Sequence, residues 1–166
     1  MESDIKQLKS EEYPELLKEI NDPPKKLYIK GELPPDNMKY LCVVGSRKYS
    51  PYGKDVCKTL IEGLRGYPIV IVSGLALGID SIAHESALEN GLTTIAVPGS
   101  GLSESVLHPK AHKELARRIV KSGGTMLSEF EENFKATHYS FPQRNRVMAG
   151  MSHATLIIEA EEKSGT

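Results

Sequence analysis

Residues 69–84 read IVIVSGLALGIDSIAH. A run of β-branched residues, Ile69-Val70-Ile71-Val72, passes through Gly74 and Gly78 into a stretch of helical period. Such a strand–glycine–helix unit commonly holds an anion, because the first amides of a helix lack internal partners and its dipole favours negative charge. The apolar run is continuous rather than alternating, the pattern of a strand covered on both faces. This unit predicts a parallel sheet between helical layers, with a ligand beyond the carboxyl ends of the strands.

The unit recurs along the chain. Further strands are expected at Tyr40–Val44, Thr93–Val97, Thr125–Leu127 and Ala154–Glu159. Ser50-Pro51 reads as an N-cap with proline in the first turn of a helix that reaches about Arg65. Asp80 is placed to cap a helix from Ser81 that stops at Asn90-Gly91. Pro109 opens another helix, with Leu115 and Ile119 as its buried stripe and Ser122-Gly123-Gly124 as its end. Pro142 opens a short helix through RNRVMAG. The expected architecture is α/β: a Rossmann-like parallel sheet with helices on both faces over residues 40–166. Residues 1–39, with YPELLKEI as a short helix and KKLYIKGELPP as an extended piece, read as an N-terminal extension packed on that domain.

The 166 residues, 39% hydrophobic and 26% charged, fit a single soluble domain, and no apolar run approaches the roughly 20 residues of a membrane span. The N-terminus lacks the apolar core of a secretory signal. Cys42 and Cys57 have no metal or redox spacing, a reduced pattern that points to the cytoplasm. A net charge of −1 gives no global basic field, so any anion site must be local.

Several enzyme classes are disfavoured by motif. GSRKYS follows the first strand where a dinucleotide fingerprint would stand, and no ribose-binding acid follows the third. Gly53-Lys54 is followed by Asp55 inside a helix, so there is no P-loop. No G-x-S-x-G elbow and no H-E-x-x-H pair occurs, so no cofactor or metal is expected. His84 reads as a packed or supporting residue.

The remaining signals gather at the strand ends. Gly45, Ser46 and Arg47 follow the first strand of the domain; Ser73, Gly74 and Leu75 the second; Gly99, Ser100 and Gly101 the third. Small residues there let backbone amides approach a ligand, and Arg47 adds a guanidinium. Lys110, Lys113, Arg117 and Lys121 lie opposite Leu115 and Ile119, a face that either binds a polyanion or is simply solvated. Arg144 and Arg146 stand near a helix start, where positive charge is unfavourable, so they either bind phosphate or pair with Glu129 or Glu159.

Taken in order, VVGSRKYSPYG, IVSGLALGIDSIAH, TIAVPGSGL, LSEF, FPQRNRVMAGMS and IIEAEEKSG resemble the DprA/Smf family of DNA-processing proteins, from about Tyr13 to the last residue. The resemblance implies a non-enzymatic protein whose Rossmann-like domain binds single-stranded DNA and helps load a RecA-type recombinase during natural transformation. It implies phosphates at the strand ends, Arg47 as a principal contact, and further contacts between Gly99 and Lys113, including Lys110, His112 and Lys113. The family's usual Y-P-x-x-N run is here His108-Pro109-Lys110-Ala111-His112. The family also continues beyond Thr166 into a region that makes homodimers and, in many members, a winged-helix module. Pro98-Gly99-Ser100-Gly101-Leu102 also resembles the first half of the motif of lysine-decarboxylase-like phosphoribohydrolases. That alternative would need Glu129 or Glu159 as acids.

Overall fold

The computed structural model describes residues 5–166. Residues 1–4 of the expected extension lie outside it. Seven strands form one sheet: β1 (Lys6–Gln7), β2 (Tyr28–Lys30), β3 (Lys39–Gly45), β4 (Ile69–Ser73), β5 (Thr93–Ala96), β6 (Thr125–Ser128) and β7 (Ala154–Ile158). Their order is β1-β2-β6-β5-β4-β3-β7. The five strands from β6 to β7 are parallel, as the continuous apolar runs require. The difference from the expected parallel sheet is at one edge, where β2 pairs antiparallel with β6 and β1 with β2. The extension thus joins the sheet. Leu27 and Ile29 enter the core, and Ile29 stands opposite Leu127. Pairing β6 in this way also removes an exposed edge.

The helices are α1 (Glu15–Lys18), α2 (Pro51–Glu62), α3 (Ile79–Glu89), α4 (Lys113–Lys121) and α5 (Ser140–Met151). Alternate residues of the central strands face opposite layers. Val70 and Val72 of β4 pack with Val147, Met148 and Met151 of α5 and Leu17 of α1. Ile71 faces Ile61 of α2 and Ile82 and Ala83 of α3. A third cluster joins Leu115 and Ile119 of α4 to Ala96 and Met126.

Ser50 caps α2 as expected, its Oγ accepting from the Gly53 amide at 3.1 Å. The helix α5 starts before Pro142, because Thr137 and Ser140 close a reciprocal turn ahead of it. Pro142 then sits in the first turn, where no donor is missed. Both cysteines are buried and free. Burial pushes the Cys42 thiol up to about 12 and the Cys57 thiol up to about 11, which leaves neither as a thiolate near neutral pH.

His84 of α3 is fully buried. Its Nδ1 lies 2.7 Å from Thr94 Oγ1, whose own proton goes to the Ile71 carbonyl at 2.8 Å. Nδ1 must therefore be the donor, which leaves Nε2 bare and without a hydrogen bond. Burial, followed by the nearby His112, depresses the imidazole to about 3. The unfolded chain takes this proton near pH 6.5, so the stability is complete above that pH and declines as pH falls towards 3. Urea unfolding between pH 6.5 and 4.5 is expected to show a His84 contribution of up to about 1.4 kcal/mol per pH unit. In His84→Gln that part of the slope disappears. An unchanged slope would contradict the assignment.

Candidate nucleic-acid interface

The loop between β4 and α3 is closed by a charged clamp. The Gly74 and Ala76 amides both donate to Asp80 Oδ2, at 3.1 and 3.4 Å. Arg144 Nη1, arriving from α5, donates to the carbonyls of Gly74 at 2.7 Å and Val97 at 2.9 Å. Gly74 is gripped from both ends. A Cβ there would lie 2.6 Å from both Arg144 Nη1 and Asp80 Oδ2. Leu75 adopts φ 60, in the left-handed region, and its side chain is driven into the core. Asp80 is 5% exposed and Arg144 5% exposed. Burial raises the Asp80 carboxyl above its ordinary range, opposed by Arg144 and the loop amides. Burial likewise lowers Arg144, opposed by Asp80.

This corrects the expected capping of α3. Asp80 reaches back into the preceding loop, and Gly78, at φ 83, is the N-cap residue. The Ile79 amide donates to the Ser46 carbonyl at 3.2 Å. The anion cradle suggested by residues 73–80 is thus filled by the chain's own carboxylate.

Other small residues at the rim also serve the fold. Gly45 lies against the Ile158 carbonyl and Gly99 against the Phe141 ring, with no room for a side chain at either. Ser73 is buried and its Oγ donates to Val43 O at 2.7 Å. Ser100 is buried, accepting from the His108 amide at 3.2 Å. The Gly101 amide donates to Phe134 O. The Ser73 and Ser100 hydroxyls and the Gly101 amide thus have partners within the fold, and the Leu75 side chain is buried.

The two arginines of α5 divide. Arg146 makes a bidentate pair with Glu129 at 2.6 and 2.8 Å and a third contact with Asp22. Of the two roles open to it, pairing is the one realised. Arg144 does not meet either glutamate, and its burial turns it from an expected ligand contact into the clamp. Glu159, with φ 51, takes the Ser50 amide at 2.8 Å and the Ser50 hydroxyl, and these bonds hold its carboxyl below the usual range. Its carbonyl receives the Ser46 amide. Both candidate acids, Glu129 and Glu159, therefore have structural partners. Arg117 pairs with Glu104 and Glu114, so the basic stripe is partly neutralised. Lys110 lies in a short 3-10 turn and Lys113 begins α4, while His112 Nδ1 lies 2.6 Å from Leu75 O and braces the loop.

What stays open is a platform around Phe141. Ser46 Oγ bonds the carbonyl and amide of Lys48, at 2.8 and 3.1 Å, a tight turn that leaves Arg47 exposed. The Arg47 guanidinium lies 5.2 Å over the Phe141 ring, Arg144 lies 5.6 Å from the same ring, and the His108 ring is 5.5 Å away at 54°. Arg47 makes no ion pair among the described residues. A cleft of about 730 Å³ runs from Ser46 and Arg47 past Phe141 and Asn145 to Thr155 and Ile157. A narrower branch passes Ala76, Leu77, His108 and Pro109. Phe141 was missed by sequence reasoning, although its spacing to Arg144 and Met148 places all three along one side of α5. Among the described residues no cluster of His, Cys, Asp or Glu could hold a metal ion, and no helix is long and apolar enough to cross a membrane.

The sequence profile of the family described as DNA recombination-mediator protein A matches residues 5–166. The chain belongs to that family. It is 42% identical over 156 residues to the DNA processing protein DprA of Streptococcus pneumoniae, covering 93% of this chain and 53% of that protein. It is 40% identical over 157 residues to Protein Smf of Escherichia coli, covering 95% and 41%. The X-ray structure of the S. pneumoniae DprA superposes with a TM-score of 0.88 at 40% identity, over 98% of this chain and 56% of that one. The Helicobacter pylori protein, whose structure is described for its single-stranded DNA binding mode, gives 0.85 at 33%, over 98% and 73%. The α/β fold is that of these DprA structures. The chain spans about half the length of the curated relatives it matches.

The clamp has a measurable weight. Arg144→Ala leaves Asp80 buried without its counter-charge and is expected to cost roughly 3–5 kcal/mol in urea unfolding. Arg146→Ala, at a more exposed pair, should cost less than half of that. Equal losses would contradict the clamp.

Proposed function

We propose that the chain binds single-stranded DNA across the platform at the carboxyl rim of the sheet, as the DNA-holding part of a recombination mediator. The observation that carries this reading is Arg47: exposed, without a carboxylate partner, and lying on the face of Phe141. A guanidinium on an aromatic ring offers two forked donors to a phosphate, and the ring and the exposed Leu77 offer surface to an unstacked base. A base is available for such contact only in a single strand. Gly45, Ser46 and Gly74 line the approach, and the segment carrying Lys110, His112 and Lys113 follows Pro109 of the narrow branch. The single-stranded DNA binding mode described for the H. pylori relative supports the same reading at 33% identity.

With a net charge of −1 the attraction must come from cations at the site itself. We take the chain as a binding module rather than an enzyme. The finer parts of the reading are proposed on family membership alone. These are delivery of the strand to a RecA-type recombinase during natural transformation, a homodimer in the longer protein, and a cytoplasmic location.

Fluorescence anisotropy with oligo-dT tests the site. Arg47→Ala is expected to weaken binding about tenfold at low salt. It should also reduce the slope of log affinity against log salt by about 0.7, the value of one lost phosphate contact on a single strand. Unchanged affinity and slope would overturn the proposal.

A further inference from the structure

His108 enters the same cleft with its imidazole uncommitted. Only its backbone amide is hydrogen-bonded, to Ser100 Oγ; neither ring nitrogen has a hydrogen bond among the described residues. The ring leans on Phe141, which also carries Arg47 and Arg144. The groups around it are cationic on two packed elements: Arg47 from the loop after β3 and Arg144 from α5. On its own segment stand Lys110 and His112, the latter committed to Leu75 O. The clamp carboxylate of Asp80 is spent on Gly74 and Ala76, and no carboxylate lines the narrow branch of the cleft. In the free protein, burial and then the charges of Arg47 and Arg144 hold the imidazole below its ordinary value, so it is neutral near pH 7.

A phosphodiester seated on Arg47 reverses that field. It cancels the positive charge that opposes protonation and presents an acceptor oxygen to a ring already in the cleft. We infer that His108 is a proton-gated phosphate ligand: neutral in the free protein and protonated in the complex, so that single-stranded DNA is taken up together with a proton from solvent. This rests on the reading of the cleft as the DNA site. It assigns this chain a pH dependence of binding that a tyrosine or asparagine in the same cleft would not provide. The sign follows from linkage. A group whose affinity for a proton rises on binding makes binding tighter as pH falls, with a ceiling of tenfold per pH unit for one proton.

Oligo-dT anisotropy at pH 8 and pH 6, at constant ionic strength, distinguishes the outcomes. Wild type is expected to bind about fivefold tighter at pH 6. His108→Gln keeps a hydrogen-bond donor that cannot titrate, so its affinity should change less than twofold between the two pH values. His112→Gln should retain the wild-type dependence. If His108→Gln keeps the full dependence, or wild type shows none while still binding, the inference falls and the DNA site stands. If wild type binds oligo-dT at neither pH, the site itself is wrong.

Discussion

The candidate site depends on one buried charged arrangement, in which Gly74 is held between the carboxylate of Asp80 and the guanidinium of Arg144. Neither charge would be tolerated alone at that depth. Each is there because the other offsets its desolvation and because backbone groups use the remaining hydrogen-bonding capacity. The consequence is a turn fixed in a shape that would otherwise be costly, with Leu75 in the left-handed region and Gly78 at the helix start. Through Val97 O, Arg144 also ties the loop after β5 to the loop after β4. Two loops thus meet at a single guanidinium on α5, and Phe141, one helical turn before it, becomes the floor on which Arg47 rests.

That arrangement separates cations that hold the protein from cations that face solvent. Arg144 and Arg146 are committed internally, the first to carbonyls and the second to Glu129 and Asp22. Arg47 is free, and His108 stands beside it. In a chain with almost no net charge the attraction of a polyanion is set locally, and Arg47 and His108 share one aromatic ring.

Much of the fold was legible because its signals are local. Each β-branched run became a strand of the parallel sheet; the central ones are covered on both faces and need apolar residues on each, whereas β7 is a partly exposed edge. The pairing of Tyr28–Lys30 with β6 was not legible: an edge strand joins a partner far along the chain, and nothing in KKLYIK names that partner. The glycines were read correctly as close approaches but assigned to a ligand. In the fold a Cβ at Gly45, Gly99 or Gly74 would meet Ile158, Phe141 or the clamp, and the Gly74 and Ala76 amides meet Asp80, because sequence does not say which anion a loop amide will meet. Arg144 carried an unread signal. It falls in step with Val147, Met148 and Met151, the buried stripe of α5, whereas Arg146 is out of phase with that stripe. A charge in an apolar stripe points to a buried partner, and Asp80, in step with Ala83, His84 and Ala87 on α3, shows the same pattern.

The central claim is that the loop amides of Gly74 and Ala76 belong to Asp80, and that nucleic acid is met instead by Arg47 on Phe141. Amide hydrogen exchange and nuclear magnetic resonance of the labelled chain, with and without oligo-dT, test it directly. The account predicts slow exchange at Gly74 and Ala76 in both states, with the large shifts on the Arg47 guanidinium and the Phe141 ring. Fast exchange at Gly74 in the free chain, slowed only by oligo-dT, would show that the cradle waits for a phosphate and would contradict the account.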